Sequence, residues 1–113
     1  MTPILRDVEP DVFTPLVFGR KDDHDKPMWH LLPWRVLEGV VKTLTFGARK
    51  YSPDGWKRVE NAKERYESAL FRHFIQMKSG DYIDRESQVP HASAFLTNAL
   101  ILAYLYLKPE DRE

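Results

Sequence analysis

The sequence predicts an all-α protein, a helical bundle with an extended N-terminal arm, assembled as a homo-oligomer. Three observations carry that prediction. Apolar residues recur at helical spacing in three separate stretches, the first 27 residues carry four prolines and no such periodicity, and the third helical stretch is apolar nearly all round. A chain of 113 residues is about one domain and too short for two independent cores. It divides into an arm, residues 1–32, expected to pack on the body, and a helical body, residues 33–113.

In the arm, Pro3, Pro10, Pro15 and Pro27 disfavour regular structure, and the polar run from Arg20 to Lys26 has no apolar period. Val12-Phe13 and Leu16-Val17-Phe18 give it apolar side chains to lay across its own domain or a partner subunit. The first helix follows Pro33, with Leu37, Val40, Val41 and Leu44 on one face, and is predicted to end near Phe46 because Gly47 is a natural cap. Ser52-Pro53-Asp54-Gly55 is a turn that returns Trp56 to the fold. Tyr66, Ala69, Leu70, His73, Phe74 and Met77 then predict a second helix over residues 60–79, stopped by Gly80. After the acidic connection Asp81 to Glu86, a third helix is predicted from Pro90 to Leu107. A helix so apolar is central in its bundle or shared with another chain, so it is the expected oligomer interface.

Composition narrows the chemistry. Seventeen Lys+Arg balance seventeen Asp+Glu, which argues against a broadly basic nucleic-acid binder. The absence of cysteine excludes disulfides, thiolate nucleophiles and cysteine zinc sites, so any metal is held by oxygen or imidazole. The opening MTPILRDVEP has no apolar run resembling a signal peptide, and the longest apolar stretch, Ala92 to Leu107, is broken by Ser93, Thr97 and Asn98 and falls short of the roughly 20 residues a bilayer requires. The expectation is a cytoplasmic protein without membrane association. Walker-type phosphate loops, dinucleotide fingerprints, HExxH and GxSxG are all missing, which leaves divalent-ion phosphoryl chemistry as the most natural enzymatic use of the residues present.

Asp81, Asp84 and Glu86 place three carboxylates within six residues of a helix stop. They repel one another unless a cation neutralises them, so they read either as a magnesium or manganese site or as a solvated loop that stabilises the amino end of the third helix. His73 lies on the apolar face of the second helix and His91 opens the third, and each is either structural or a ligand or proton-transfer group. Glu38 either pairs with Lys42 one turn on or reaches across the bundle to complete the metal site. Lys50, Tyr51 and Trp56, with Arg72, combine cations and aromatic planes suited to a nucleotide, or else to loop packing. Asn98, inside the apolar helix, needs a partner if buried, from a ligand or across a dimer axis.

The ordered set Lys26-Pro27, Leu32-Pro33, Glu38, Phe46-Gly47-Ala48, Lys50-Tyr51, Trp56, Arg72-His73, Gly80, Asp84, Glu86 and Pro90-His91 resembles the phage-associated dATP/dGTP diphosphohydrolase N-terminal family, which is similar to the MazG-like all-α nucleotide pyrophosphohydrolases. The resemblance covers roughly residues 18–107. It implies an oligomeric protein whose body binds a purine nucleoside triphosphate with Mg2+ (or Mn2+) and releases pyrophosphate. It further implies metal ligation by Glu38, Asp84, Glu86 and Asp81, with Glu38 and His91 in catalysis. Lys50, Tyr51, Trp56, Arg72, His73 and Asn98 would line the nucleotide pocket. The chain departs from the MazG-like EExxE helix, since Gly39 follows Glu38, and Ala94 stands where the family's third helix places a second histidine. An incomplete metal shell on an intact pocket opens an alternative, a phage protein that sequesters a nucleotide or a cyclic or ADP-ribose-type immune signal without cleaving it.

Overall fold

The structure, a computed structural model, describes residues 22–113; most of the predicted arm, including Pro3, Pro10, Pro15 and the apolar pairs, lies outside the described residues. Among those described, three α-helices account for the body and no strand forms. Residues 22–32 are exposed and hold one short 3-10 turn, Trp29–Leu31.

Helix α1 spans Trp34–Lys50. Pro33, in extended backbone, caps it, and its carbonyl accepts the Val36 and Leu37 N–H groups. The predicted stop near Phe46 does not occur. Gly47 continues the helix, and the chain leaves it only after Lys50, where the Tyr51 N–H reaches the Gly47 carbonyl at 2.9 Å. One interior glycine costs a helix only about 1 kcal/mol relative to alanine. Ala48, Arg49 and Lys50 are good helix formers, and the two cations suit the negative end of the helix dipole, so the last turn persists.

Helix α2 spans Ala62–Ser79 and begins after Asn61, which takes the left-handed conformation with φ 54°. It ends where expected. Gly80 adopts φ 90°, and the Asp81 N–H returns to the Gln76 carbonyl at 3.0 Å, the Schellman closure that favours glycine. Helix α3 spans His91–Tyr106, within a residue of the predicted limits.

Helix α3 packs on both α1 and α2, more extensively on α2, and is therefore central. Its buried side chains, His91, Ala94, Thr97, Asn98 and Ile101, repeat at helical spacing. Two of the polar members are satisfied inside the helix, with Thr97 Oγ1 donating to the Ser93 carbonyl at 2.7 Å and Asn98 Nδ2 to the Ala94 carbonyl at 2.8 Å. Where α1 crosses α3, a Cβ on Gly39 would stand 2.2 Å from Ser93 Oγ, so the close approach requires glycine. Among the described residues the apolar core is small, consisting of Val40, Val89, Ala94 and Ile101, while Trp34 and Val41 of α1, Phe71 and Ile75 of α2, and Tyr106 of α3 remain exposed. None of the described helices is long and apolar enough to cross a membrane.

Candidate functional site

A cleft of about 690 Å³ opens between α1 and α2 with α3 as its floor. Thr43, Leu44 and Gly47 line one wall, Tyr66, Ala69 and His73 the other, and Ala94, Thr97, Asn98 and Ile101 the base. Its mouth is closed on one side by the turn carrying Trp56 and on another by the acidic loop with Asp84, Glu86 and Ser87.

Hydrogen bonds within the acidic loop decide where its side chains go. The Asp84 N–H donates to the Val89 carbonyl and the His91 N–H to the Tyr82 carbonyl, both at 2.8 Å, and Ile83 and Pro90 form an isolated antiparallel bridge. Gln88 turns the chain in left-handed backbone, φ 62°. The Asp84 Oδ2 then accepts the Ser87 N–H at 3.0 Å and its Oγ–H at 2.6 Å. This tie sets Asp84 beside the first turn of α3 and the last turns of α2.

Three side chains meet there. The Nδ1 atoms of His73 and His91 lie 2.8 Å apart, and one ligand atom from each of His73, Asp84 and His91 can be chosen so that all lie within 4.8 Å of one another. His91 is 6% exposed, and its Nε2 faces Asp81 Oδ2 at 3.4 Å. Burial lowers the His73 pKa, with Asp84 opposing and His91 and Arg72 adding to the decrease. Burial resists ionisation of Asp84, but its two bonds from Ser87 and the adjacent imidazoles outweigh that effect and bring its pKa below the ordinary carboxylate value.

The rim carries the remaining polar groups. Lys50 Nζ is paired with Glu86 and sits 5.2 Å from the centre of the Tyr51 ring, and the Glu86 and Tyr51 bonds raise its pKa despite some desolvation. Trp56 packs edge-on against Tyr104 at 4.9 Å between ring centres, so it anchors its turn to α3 while also lining the cleft.

Lys50, Tyr51, Trp56, Arg72, His73, Asp84, Glu86 and Asn98 all line the cleft. Asp81 and His91 stand just behind it through the contacts above. The four carboxylates of the proposed metal set do not converge. Glu38 is exposed and outside the lining, because six residues at about 100° each place it about 120° around α1 from Leu44. Glu86 is engaged by Lys50, and Asp81 by His91 and Arg85. Sequence reasoning missed Ser87; the available signal was Asp84, because an aspartate beside a turn commonly accepts backbone N–H bonds from the residues just after it. It also missed the Thr43 and Tyr66 walls, which ordinary helical spacing does not mark as functional.

The fold and cleft define a small all-helical domain with an imidazole–carboxylate cluster and a cationic, aromatic rim. The chain belongs to the dATP/dGTP diphosphohydrolase, N-terminal family, whose model matches residues 18–113. Searches among curated proteins and among solved structures return no match.

Proposed function

We propose that the cleft binds a purine deoxynucleoside triphosphate and hydrolyses it to the nucleoside monophosphate and pyrophosphate. The observation that carries this reading is a single cleft, within the size range of small-molecule sites, that joins an imidazole–carboxylate cluster to a rim of cations and aromatic rings. The family description agrees, naming dATP and dGTP and a diphosphohydrolase activity.

Lys50 and Arg72 meet the phosphates, and Tyr51 and Trp56 offer planes for the base. Phosphate oxygens compete with Glu86 for Lys50. The released Glu86 carboxylate then accepts the proton of the attacking water, a role open to it because Asp84 is held by Ser87 and Asp81 faces His91. Water oxygen bonds to the α-phosphorus as the bond to the bridging oxygen breaks, and that oxygen leaves on pyrophosphate. A bound divalent ion supplies charge neutralisation of the phosphates and acidifies the water. His73, Asp84 and His91 are the donors that fit such an ion.

The exposed Phe71, Phe74 and Ile75 form an i, i+3, i+4 stripe along α2 that a second copy of the chain covers in this reading. Light scattering on the purified chain tests that assembly against a monomer.

The activity is tested by incubating the protein with dATP, dGTP, dCTP and dTTP, with Mg2+ or Mn2+, and following product and bound nucleotide. Purine-selective release of pyrophosphate is the expected result. Intact nucleotide recovered only after denaturation replaces hydrolysis with sequestration, and the absence of both product and retained nucleotide overturns the reading.

A further inference from the structure

We propose that His73, Asp84 and His91 bind one first-row transition-metal ion in preference to Mg2+, with Asp81 as the residue that positions His91. The inference specifies the ion of the cleft described above, and it rests on that reading for the ion's purpose but not for its binding.

The geometry comes first. Two imidazole nitrogens bound to one ion at about 2.1 Å and near a right angle stand about 3 Å apart. The two Nδ1 atoms are already 2.8 Å apart, and one ring nitrogen from each histidine and one carboxylate oxygen of Asp84 lie within 4.8 Å of one another. In the metal-free chain one ring donates a proton to the other across that gap, and a cation takes the proton's place.

Orientation comes second. His91 is buried, and Asp81 Oδ2 lies 3.4 Å from its Nε2. The nearby carboxylate charge favours the proton on Nε2, which leaves the Nδ1 lone pair facing His73, and a small closing shift would let Asp81 hold that tautomer as outer carboxylates do for metal-binding histidines. Asp84 is fixed likewise, because Ser87 occupies its Oδ2 with two hydrogen bonds, while no hydrogen bond among the described residues engages Oδ1. The donors come from α2, the loop and the start of α3, and the loop's backbone hydrogen bonds hold the last two together.

Donor chemistry selects the ion. Mg2+ prefers oxygen and retains its waters, whereas Fe2+, Co2+, Ni2+ and Zn2+ accept imidazole readily and bind nitrogen more tightly than Mn2+ does. Three protein ligands leave positions open toward the cleft for phosphate oxygen or water.

The test uses the full chain after chelator treatment, titrated with Co2+ by visible absorption and with Mn2+ by electron paramagnetic resonance, in the presence and absence of excess Mg2+. One Co2+ per chain is expected, with a ligand-field band that Mg2+ does not displace. His73→Gln and Asp84→Asn should abolish the band while circular dichroism stays helical, and Asp81→Asn should weaken binding by about 10–100-fold. Absence of binding in the parent chain overturns the site, as does a band that survives His73→Gln. Mg2+-driven nucleotide hydrolysis in a parent chain that binds no Co2+ overturns the site and leaves the hydrolase reading standing. A bound metal without nucleotide turnover does the reverse.

Discussion

Gly39 and Gly47 lie in the same helix, and the same substitution should move stability in opposite directions at the two positions. Alanine is favoured over glycine inside a helix by about 1 kcal/mol. A Cβ at Gly47 meets nothing within 4 Å, so Gly47→Ala should stabilise the fold by about 0.5–1 kcal/mol. At Gly39 the added Cβ lies 2.2 Å from Ser93 Oγ and 3.0 Å from Ser93 Cβ. The hydroxyl can rotate away, but the Cβ moves only if α1 and α3 separate. Overpacking of this kind costs about 1–3 kcal/mol, so after the helix gain Gly39→Ala should destabilise by about 0–2 kcal/mol. Denaturant unfolding at one fixed protein concentration measures both, since any assembly makes stability depend on concentration. Adding Ser93→Gly should restore much of the loss, with a coupling energy of about 0.5–3 kcal/mol in the double-mutant cycle. Equal stabilisation by the two alanines would refute the close helix crossing. Destabilisation at Gly47 would mean that the helix stops there after all.

Three further outcomes are expected. Lys50→Ala should leave stability almost unchanged, because its pair with Glu86 is 40% and 62% exposed and so is screened by solvent. Its loss of a charged hydrogen bond to phosphate should instead raise KM by roughly 10- to 100-fold, which steady-state kinetics on dATP and dGTP would read. Tyr66 is half-buried, and desolvation raises its pKa, with Tyr51 adding to the rise and Arg65 opposing it. Since the folded value lies above the unfolded one, its contribution is complete below the ordinary tyrosine pKa of about 10 and is lost as pH climbs through the folded value. Tyr66→Phe should therefore flatten the alkaline limb of the stability profile, and an unchanged limb would assign that loss elsewhere. Gly80→Ala forces a side chain into φ 90° and should cost about 1–2 kcal/mol, visible as a lower melting temperature.

Helix positions were legible in the chain because their signals are local. The spacing of Leu37, Val40 and Leu44, the Gly80 stop and the apolar run after Pro90 each report interactions within a turn or two of the backbone. Most of the polar and aromatic groups that line the candidate cleft were legible for the same reason, since Lys50, Tyr51, Trp56, Arg72, His73 and Asp84 stand at marked positions beside turns or on helix faces. Glu38 and Gly47 show where such reading stops. Glu38 is close to the site in sequence terms but faces away from the cleft, and Gly47 carries a stop signal that three helix-forming neighbours outweigh. Which carboxylate joins the histidines was likewise a nonlocal matter. The bonds from Ser87 to Asp84 and from the loop backbone to Val89 and Tyr82 bring Asp84, rather than Glu38 or Glu86, to the junction of α2 and α3. Periodicity determines which face of a helix is apolar; only the packing of three helices and the hydrogen bonding of the loop between them determine which polar groups share a space, because that depends on directions in three dimensions that residue spacing does not encode.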